Sequence, residues 1–287
     1  MKFASTFIPV AVIALGASAV MNSAESEPSD QLNDQCWNTT FFEPFDDLRL
    51  ASDSDDGQGW TTQYIWDRST IINNELQYYV DPSSHPVNPF SVSDGVLTIS
   101  ATRTPENLLA TTDGQEYISG VLTSRNWFEQ KHGRFEVFAQ VPKGQGLWSA
   151  FWMLPTHKQW PQGIAILPEL DVMEHLGHQA NTFHTTLHTN QSGKLTSHPY
   201  DHNRLADLTQ GFHLYSTVWT DKEVSWYLDG KLKATHPTPS DFDNPKHFLL
   251  NLAVGGSWPG SPDDRTQFPA EYKVDYVRAM EPSGGCS

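Results

Sequence analysis

Three carboxylic acids crowd the stretch LPELDVMEHLG (residues 167–177): Glu169, Asp171 and Glu174, with Leu, Val and Met between them. Like charges set side by side repel, and a strand with only a structural task gains nothing from them. Two carboxyls held about 5 to 6 Å apart, however, can cut a glycosidic bond with retention of configuration. One stays ionised as the nucleophile, while the other, its pKa raised by the neighbouring charge, keeps a proton for the leaving group. Asp171, between the glutamates, can hydrogen-bond the nucleophile and adjust both titrations. The competing reading is a solvated acidic strand face. A calcium loop is a third, but the D-x-D-x-D-G pattern that builds one is missing here.

The spacing sets a geometric demand. In a strand, Glu169 and Asp171 share one face while Leu170 and Val172 point to the other, so Glu174 has the wrong parity. A regular strand would bury it in the core at a cost of several kcal/mol. One extra residue, a β-bulge at Val172–Met173, restores the parity. The two glutamate Cα atoms then stand roughly 13 Å apart, and flexible side chains leaning over Asp171 close the gap.

GLWSAFWMLP places Trp148 and Trp152 four positions apart, hence on one strand face. Aromatic rings stack on the apolar CH faces of sugars, and Trp258 in GGSWPG adds a third, loop-borne ring. The alternative is a pair of core tryptophans. FHTTLHT holds His184 and His188 four apart, the spacing of a helical metal pair. Its β-branched residues specify a strand instead and no third ligand is evident, so no metal is expected.

These side chains need a scaffold. From about Gly95 onward, short segments rich in Val, Ile, Thr and aromatics alternate apolar and polar residues between Gly, Pro, Asn and Asp, which is strand texture. VLTISAT, YISGVLTSR, RFEVFAQV, LWSAFWML, ELDVME, FHTTLHT, FHLYSTVW, EVSWYLDG, HFLLNLAV and YKVDYVRA are the expected strands, and Asp229-Gly230 the expected tight hairpin. Many short strands and no helical period give an all-β sandwich of jelly-roll type, in one domain from about residue 35 to 281.

The ends carry other signals. Residues 1–24 run from one lysine through a short apolar stretch into small residues, the pattern of a secretory signal peptide cleaved after about residue 19 or 24. Residues 25–34 are a polar, flexible N-terminus, and 282–287 a C-terminal tail. No segment supplies the roughly 20 apolar residues of a membrane span. The two cysteines, Cys36 and Cys286, sit at opposite ends of an exported chain, where either one disulfide joins them or both are unpaired thiols. A formal charge of −16 argues against nucleic acid and anionic membranes as partners, and for a neutral one.

The motif ELDVME resembles the bulged E-x-D-x-x-E signature of the retaining glycoside hydrolases of family 16, which include laminarinases, lichenases, agarases and carrageenases. SGVLTSRNWFEQKHGRFEVFAQVPKGQGLWSAFWMLP, FHLYSTVWTDKEVSWYLDGK and NLAVGGSWPGSPDDRTQFPAEYKVDYVR follow in that family's order, so the resemblance runs from NNELQYY to VDYVRA. It implies a concave jelly-roll cleft, with Glu169 as nucleophile, Asp171 as its assistant and Glu174 as general acid/base. It also implies subsite roles for Asn74, Trp148, Trp152, His188 and Trp258, no cofactor in catalysis, and a structural calcium away from the cleft. The implied activity is that of a secreted, monomeric endo-β-glucanase; a non-catalytic glucan-binding protein and a transglycosylase are the alternatives on the same fold. Two positions depart from the laminarinase pattern: Pro168 precedes Glu169, and Val121 stands where an arginine often follows SG. Both resemble mixed-linkage or exopolysaccharide-cutting bacterial enzymes more closely.

Overall fold

The structure, a computed structural model, describes residues 34–51, 58–156, 168–191 and 193–284. The expected signal peptide (1–24), most of the polar segment 25–34, and Cys286 lie outside the described residues. Sixteen strands occur among the described residues: β1 (Trp37–Glu43), β2 (Gln77–Tyr79), β3 (Phe90–Ser93), β4 (Val96–Arg103), β5 (Tyr117–Ser119), β6 (Val121–Thr123), β7 (Gly133–Gln140) and β8 (Leu147–Pro155), followed by β9 (Glu169–Leu176), β10 (Phe183–Thr189), β11 (Thr196–His202), β12 (His213–Trp219), β13 (Glu223–Leu228), β14 (Lys231–Pro237), β15 (Lys246–Val254) and β16 (Ala270–Pro282).

They form two sheets. The larger has the path β14-β13-β12-β7-β16-β4-β5-β2, with β1 on β16 and β3 on β4; the smaller runs β11-β10-β9-β8-β15-β6. Alternation along the strands sends one face of each sheet inward. Phe135, Val137 and Ala139 from the larger sheet meet Phe151, Met153, Leu170, Phe248 and Leu250 from the smaller in one buried core. This is the sandwich the sequence predicts, and β9 lies in the interior of the smaller sheet, where neighbours on both sides hold it.

Two local features differ from, or refine, the sequence reading. YISGVLTSR is not one strand: β5 pairs within the larger sheet and β6 with β15 in the smaller. Gly120 is the crossing point, and a Cβ there would stand 2.5 Å from Phe90, so only glycine lets the chain change sheets so close to that ring. The Asp229-Gly230 turn does form as expected: both residues have positive φ, 49° and 75°, and Leu228 faces Lys231 across it. β1, β2, β3, β11 and β14 lie outside the ten expected segments.

The first and last described strands pair with each other. Trp37 of β1 pairs with Pro282 of β16, and the Ser283 amide donates to the Cys36 carbonyl at 2.8 Å. Among the described residues, no helix is long and apolar enough to cross a membrane.

Candidate active site

The site is built on the irregularity of β9. On one side Ala150 faces Glu174 and Phe151 faces Met173, but the next residue, Trp152, faces Asp171, so Val172 has no partner on β8. On the other side the register also shifts, His184 facing Glu174 and Thr186 facing Asp171. This is the expected bulge. Leu170, Val172 and Met173 all enter the core, while Glu169, Asp171 and Glu174 line one cleft of about 770 Å³. The Trp226 indole reaches from β13 through the core and donates to the Asp171 carbonyl at 2.9 Å. That bond gives a buried carbonyl at the bulge a partner and fixes the turn of the strand.

The three acids sit in unequal electrostatic surroundings. Burial first, then the charges of Asp171 and Glu169, raise the Glu174 carboxyl well above the ordinary glutamate range. Its oxygens accept hydrogen bonds from Trp148 Nε1 at 3.2 Å and from the Thr186 hydroxyl at 3.4 Å. Burial and Asp171 also raise Glu169, but two cations oppose them there, His188 and the buried Lys246. His188 Nε2 lies 3.2 Å from Asp171 Oδ2 and 3.6 Å from a Glu169 carboxyl oxygen, and its Nδ1 is 2.8 Å from the Ser197 hydroxyl. Burial alone would lower His188; its hydrogen bond to Asp171 and the three carboxylates outweigh that and hold the imidazole at about 9. Burial and Asp171 thus raise both glutamates and His188 opposes the rise at each; Lys246 acts on Glu169, while Glu174 also feels the charge of Glu169.

Of the expected subsite residues, Trp148, Trp152, His188 and Trp258 line the cleft. Trp258 is 43% exposed and stands edge-on to Trp148, with centroids 5.3 Å apart. Trp152 is held by its Nε1 on Asn251 Oδ1 at 2.7 Å. Asn74 stands at the edge of the cleft, its amide donating at 2.7 Å to the hydroxyl of Ser257, which lines it beside Trp258. Asn73 lines the cleft as well. Both asparagines have positive φ, 53° and 57°, so strand alternation does not govern which side chain faces the groove.

Part of the cleft lining was not anticipated. Tyr64, Trp66, Ile72 and Glu75 come from a segment without periodicity, and Asn251 from the apolar run HFLLNLAV. Asn251 had a signal, a single amide inside a strand of hydrophobic residues. Glu75 accepts from Gln77 Nε2 at 2.6 Å and Asn73 Nδ2 at 3.1 Å. Burial nevertheless carries its pKa up to about 7. Val121, the second departure, is fully buried beside Trp152 and Tyr64.

The two histidines of FHTTLHT serve different partners. His184 bonds Asp201 at 2.8 Å and Gln179 at 3.1 Å, away from His188. Among the described residues, the one cluster with metal-ligand spacing is Glu169, Asp171 and His188. One of its three groups is an imidazole, whereas a hard ion such as calcium takes oxygen ligands.

The sequence pattern defining glycosyl hydrolases family 16 matches residues 77–278. Endo-1,3-1,4-beta-glycanase EglC of Rhizobium meliloti (strain 1021) is 43% identical over 247 residues, 84% of this chain and 51% of that protein. Endo-1,3-1,4-beta-glycanase ExsH of the same organism is 40% identical over 247 residues, again 84% and 51%. The chain thus spans about half the length of these relatives. The X-ray structure of an endo-beta-1,3-glucanase from Pyrococcus furiosus superposes with a TM-score of 0.71 at 30% identity, covering 88% of this chain and 97% of that one.

Proposed function

Because the chain belongs to glycosyl hydrolases family 16, we propose that it is an endo-acting, retaining hydrolase of β-1,3 or β-1,4 bonds in a β-glucan or related exopolysaccharide. The observation that carries this reading is the convergence of Glu169, Asp171 and Glu174 on one cleft across the bulge. The names of the two Rhizobium relatives support an internal cut in a mixed-linkage chain. A cleft of this size lined by several rings suits a polymer, and its acidic, aromatic lining suits a neutral one. The protein works as an exported monomer in this reading, with residues 1–24 as its signal peptide, since a polysaccharide is met outside the cell.

In the first step, the Glu169 carboxylate attacks the anomeric carbon while the glycosidic C–O bond breaks and Glu174 gives its proton to the departing oxygen. The product is a glycosyl ester on Glu169. Glu174, now a carboxylate, takes a proton from water, whose oxygen attacks the same carbon and releases Glu169. Asp171 and His188 hold Glu169 in place and balance its charge through both steps. Every proton and electron pair is handled by a side chain, so the steps call on no cofactor. With all three acids in the cleft, a purely binding role leaves their shared burial unexplained.

The test is proton NMR of the first products from lichenan or laminarin, read before mutarotation. Retention of the β-anomer together with a broad range of early product sizes is expected. An inverted anomer, or no release of sugar from a panel of β-glucans, agar and carrageenan, overturns the reading.

Trp258→Ala tests the groove itself. A single exposed ring is expected to contribute roughly 0.5–1.5 kcal/mol of stacking, so KM for the polymer should rise about 2- to 13-fold with a smaller change in kcat. An unchanged KM would remove Trp258 from the subsites.

A further inference from the structure

Lys246 occupies a position that strand alternation reserves for a hydrophobic residue. It opens β15, whose residues Phe248, Leu250, Leu252 and Val254 enter the core, and by the same parity Lys246 points inward with them. It is fully buried. Its backbone is bridged to Gln130, and across the sheet it faces Pro155 at the end of β8. The ammonium lies 4.1 Å from the Phe242 ring centroid and 5.5 Å from that of Trp219. It donates to the carbonyl of Pro168 at 2.7 Å. Pro168 immediately precedes Glu169, so this bond pins the entry of β9 from the core side of the sheet, opposite the cleft.

A lysine is a costly choice for such a site. An apolar residue of similar length would fill the space without desolvating a charge, and replacements of that kind are often neutral or stabilising. We propose that Lys246 is a positioning residue for the nucleophile, fixing the start of β9 through the Pro168 carbonyl and setting a cation on the core side of the strand that carries Glu169. This rests on the reading of Glu169 as nucleophile. The charged groups acting on Lys246 are Asp241 and Asp243 from the preceding loop and Glu169 from β9. Those acting on Glu169 are Asp171, His188 and Lys246, and Glu169 in turn raises Glu174 and Tyr64. Burial lowers Lys246 to about 7 against the pull of its acidic neighbours. It is therefore charged throughout the acidic range, where Glu169 needs it, and discharges above neutrality.

Lys246→Met removes both charge and donor at nearly constant shape, and Lys246→Gln removes the charge while keeping an N–H group. Titration of Glu169 is followed by carbon-13 NMR of glutamate-labelled protein, assigned with Glu169→Gln, in the absence of substrate. In both folded variants the Glu169 midpoint is expected to rise by roughly 0.5 to 1 pH unit. On lichenan, kcat/KM should fall about 3- to 10-fold at pH 5, and the gap should narrow by pH 8, where the wild-type lysine has also lost its proton. A thermal melt at least as high as wild type shows that the fold is intact. An unmoved Glu169 titration in either folded variant overturns the proposal, because a lysine that merely braces the loop would leave it where it was. Since that titration needs no turnover, a chain that cleaves no β-glucan would refute the proposed function and leave this result standing.

Discussion

Glu169→Gln is expected to lower kcat on a soluble β-glucan by roughly 10⁴-fold or more, because a neutral amide cannot form the glycosyl ester on which both steps depend. The fold should survive. Gln has the shape of Glu, and the change removes a partly buried like charge from beside Asp171 and Glu174. A melt equal to or above wild type would separate loss of chemistry from loss of structure. A smaller side chain at the same place makes the test sharper. In Glu169→Gly, sodium azide can enter the space of the missing carboxyl and attack the anomeric carbon from that face, with Glu174 still supplying the proton. The expected product is a glycosyl azide of inverted configuration, identified by its anomeric coupling constant. Activity of Glu169→Gln within about tenfold of wild type, in protein shown free of the parent enzyme, would take the nucleophile's role away from Glu169.

How much of this could be read from residues alone depends on whether a regular period governed them. The bulge at Val172 was legible because alternation made a definite error: it sent Glu174 into the core, where an unpaired carboxylate is too costly, and one inserted residue was the least correction. Trp148 and Trp152 followed from the same period of two. Asn73 did not, since it lies in a turn where it and Asn74 both take left-handed backbone angles. Tyr64, Trp66 and Glu75 reach the cleft through contacts with strands far along the chain: Gln77, which donates to Glu75, accepts the Val254 amide on its side-chain Oε1 at 2.7 Å. No local pattern encodes such a contact. YISGVLTSR misled for a related reason: its two halves each alternate properly, and only packing against Phe90 shows that Gly120 passes the chain between sheets. Lys246 lies one residue before the expected strand HFLLNLAV and went unmarked, and its purpose depends on Pro168, 78 residues away along the chain.

Glu174→Gln should produce a different kinetic signature from the loss of the nucleophile, and a stability change of definite sign. The amide cannot protonate the leaving oxygen, so natural glucan should be cleaved about 10²- to 10⁴-fold more slowly. An aryl β-glucoside with an acidic phenol needs little protonation and should lose far less in the first step, while hydrolysis of the ester, which needs Glu174 as base, becomes rate-limiting. A burst of phenol followed by a slow steady rate is therefore expected, and azide, needing no base, should accelerate the slow phase and give a β-glycosyl azide. The alkaline limb of the pH profile should disappear with the group that makes it. The stability effect follows from the same carboxyl. Burial, then Asp171 and Glu169, raise the Glu174 pKa above its value in the unfolded chain. The folded state thus holds a proton that the unfolded state has lost, and the stability this confers is present at low pH and declines as pH rises through the folded pKa. Gln never ionises and escapes that decline. Melting temperatures of wild type and Glu174→Gln should nearly coincide at pH 4 and diverge toward pH 8, with the inactive variant the more stable. Curves that stay parallel across this range would mean that Glu174 is not the strained, proton-holding acid its surroundings describe, and the assignment of the general acid would have to move to another group in the cleft.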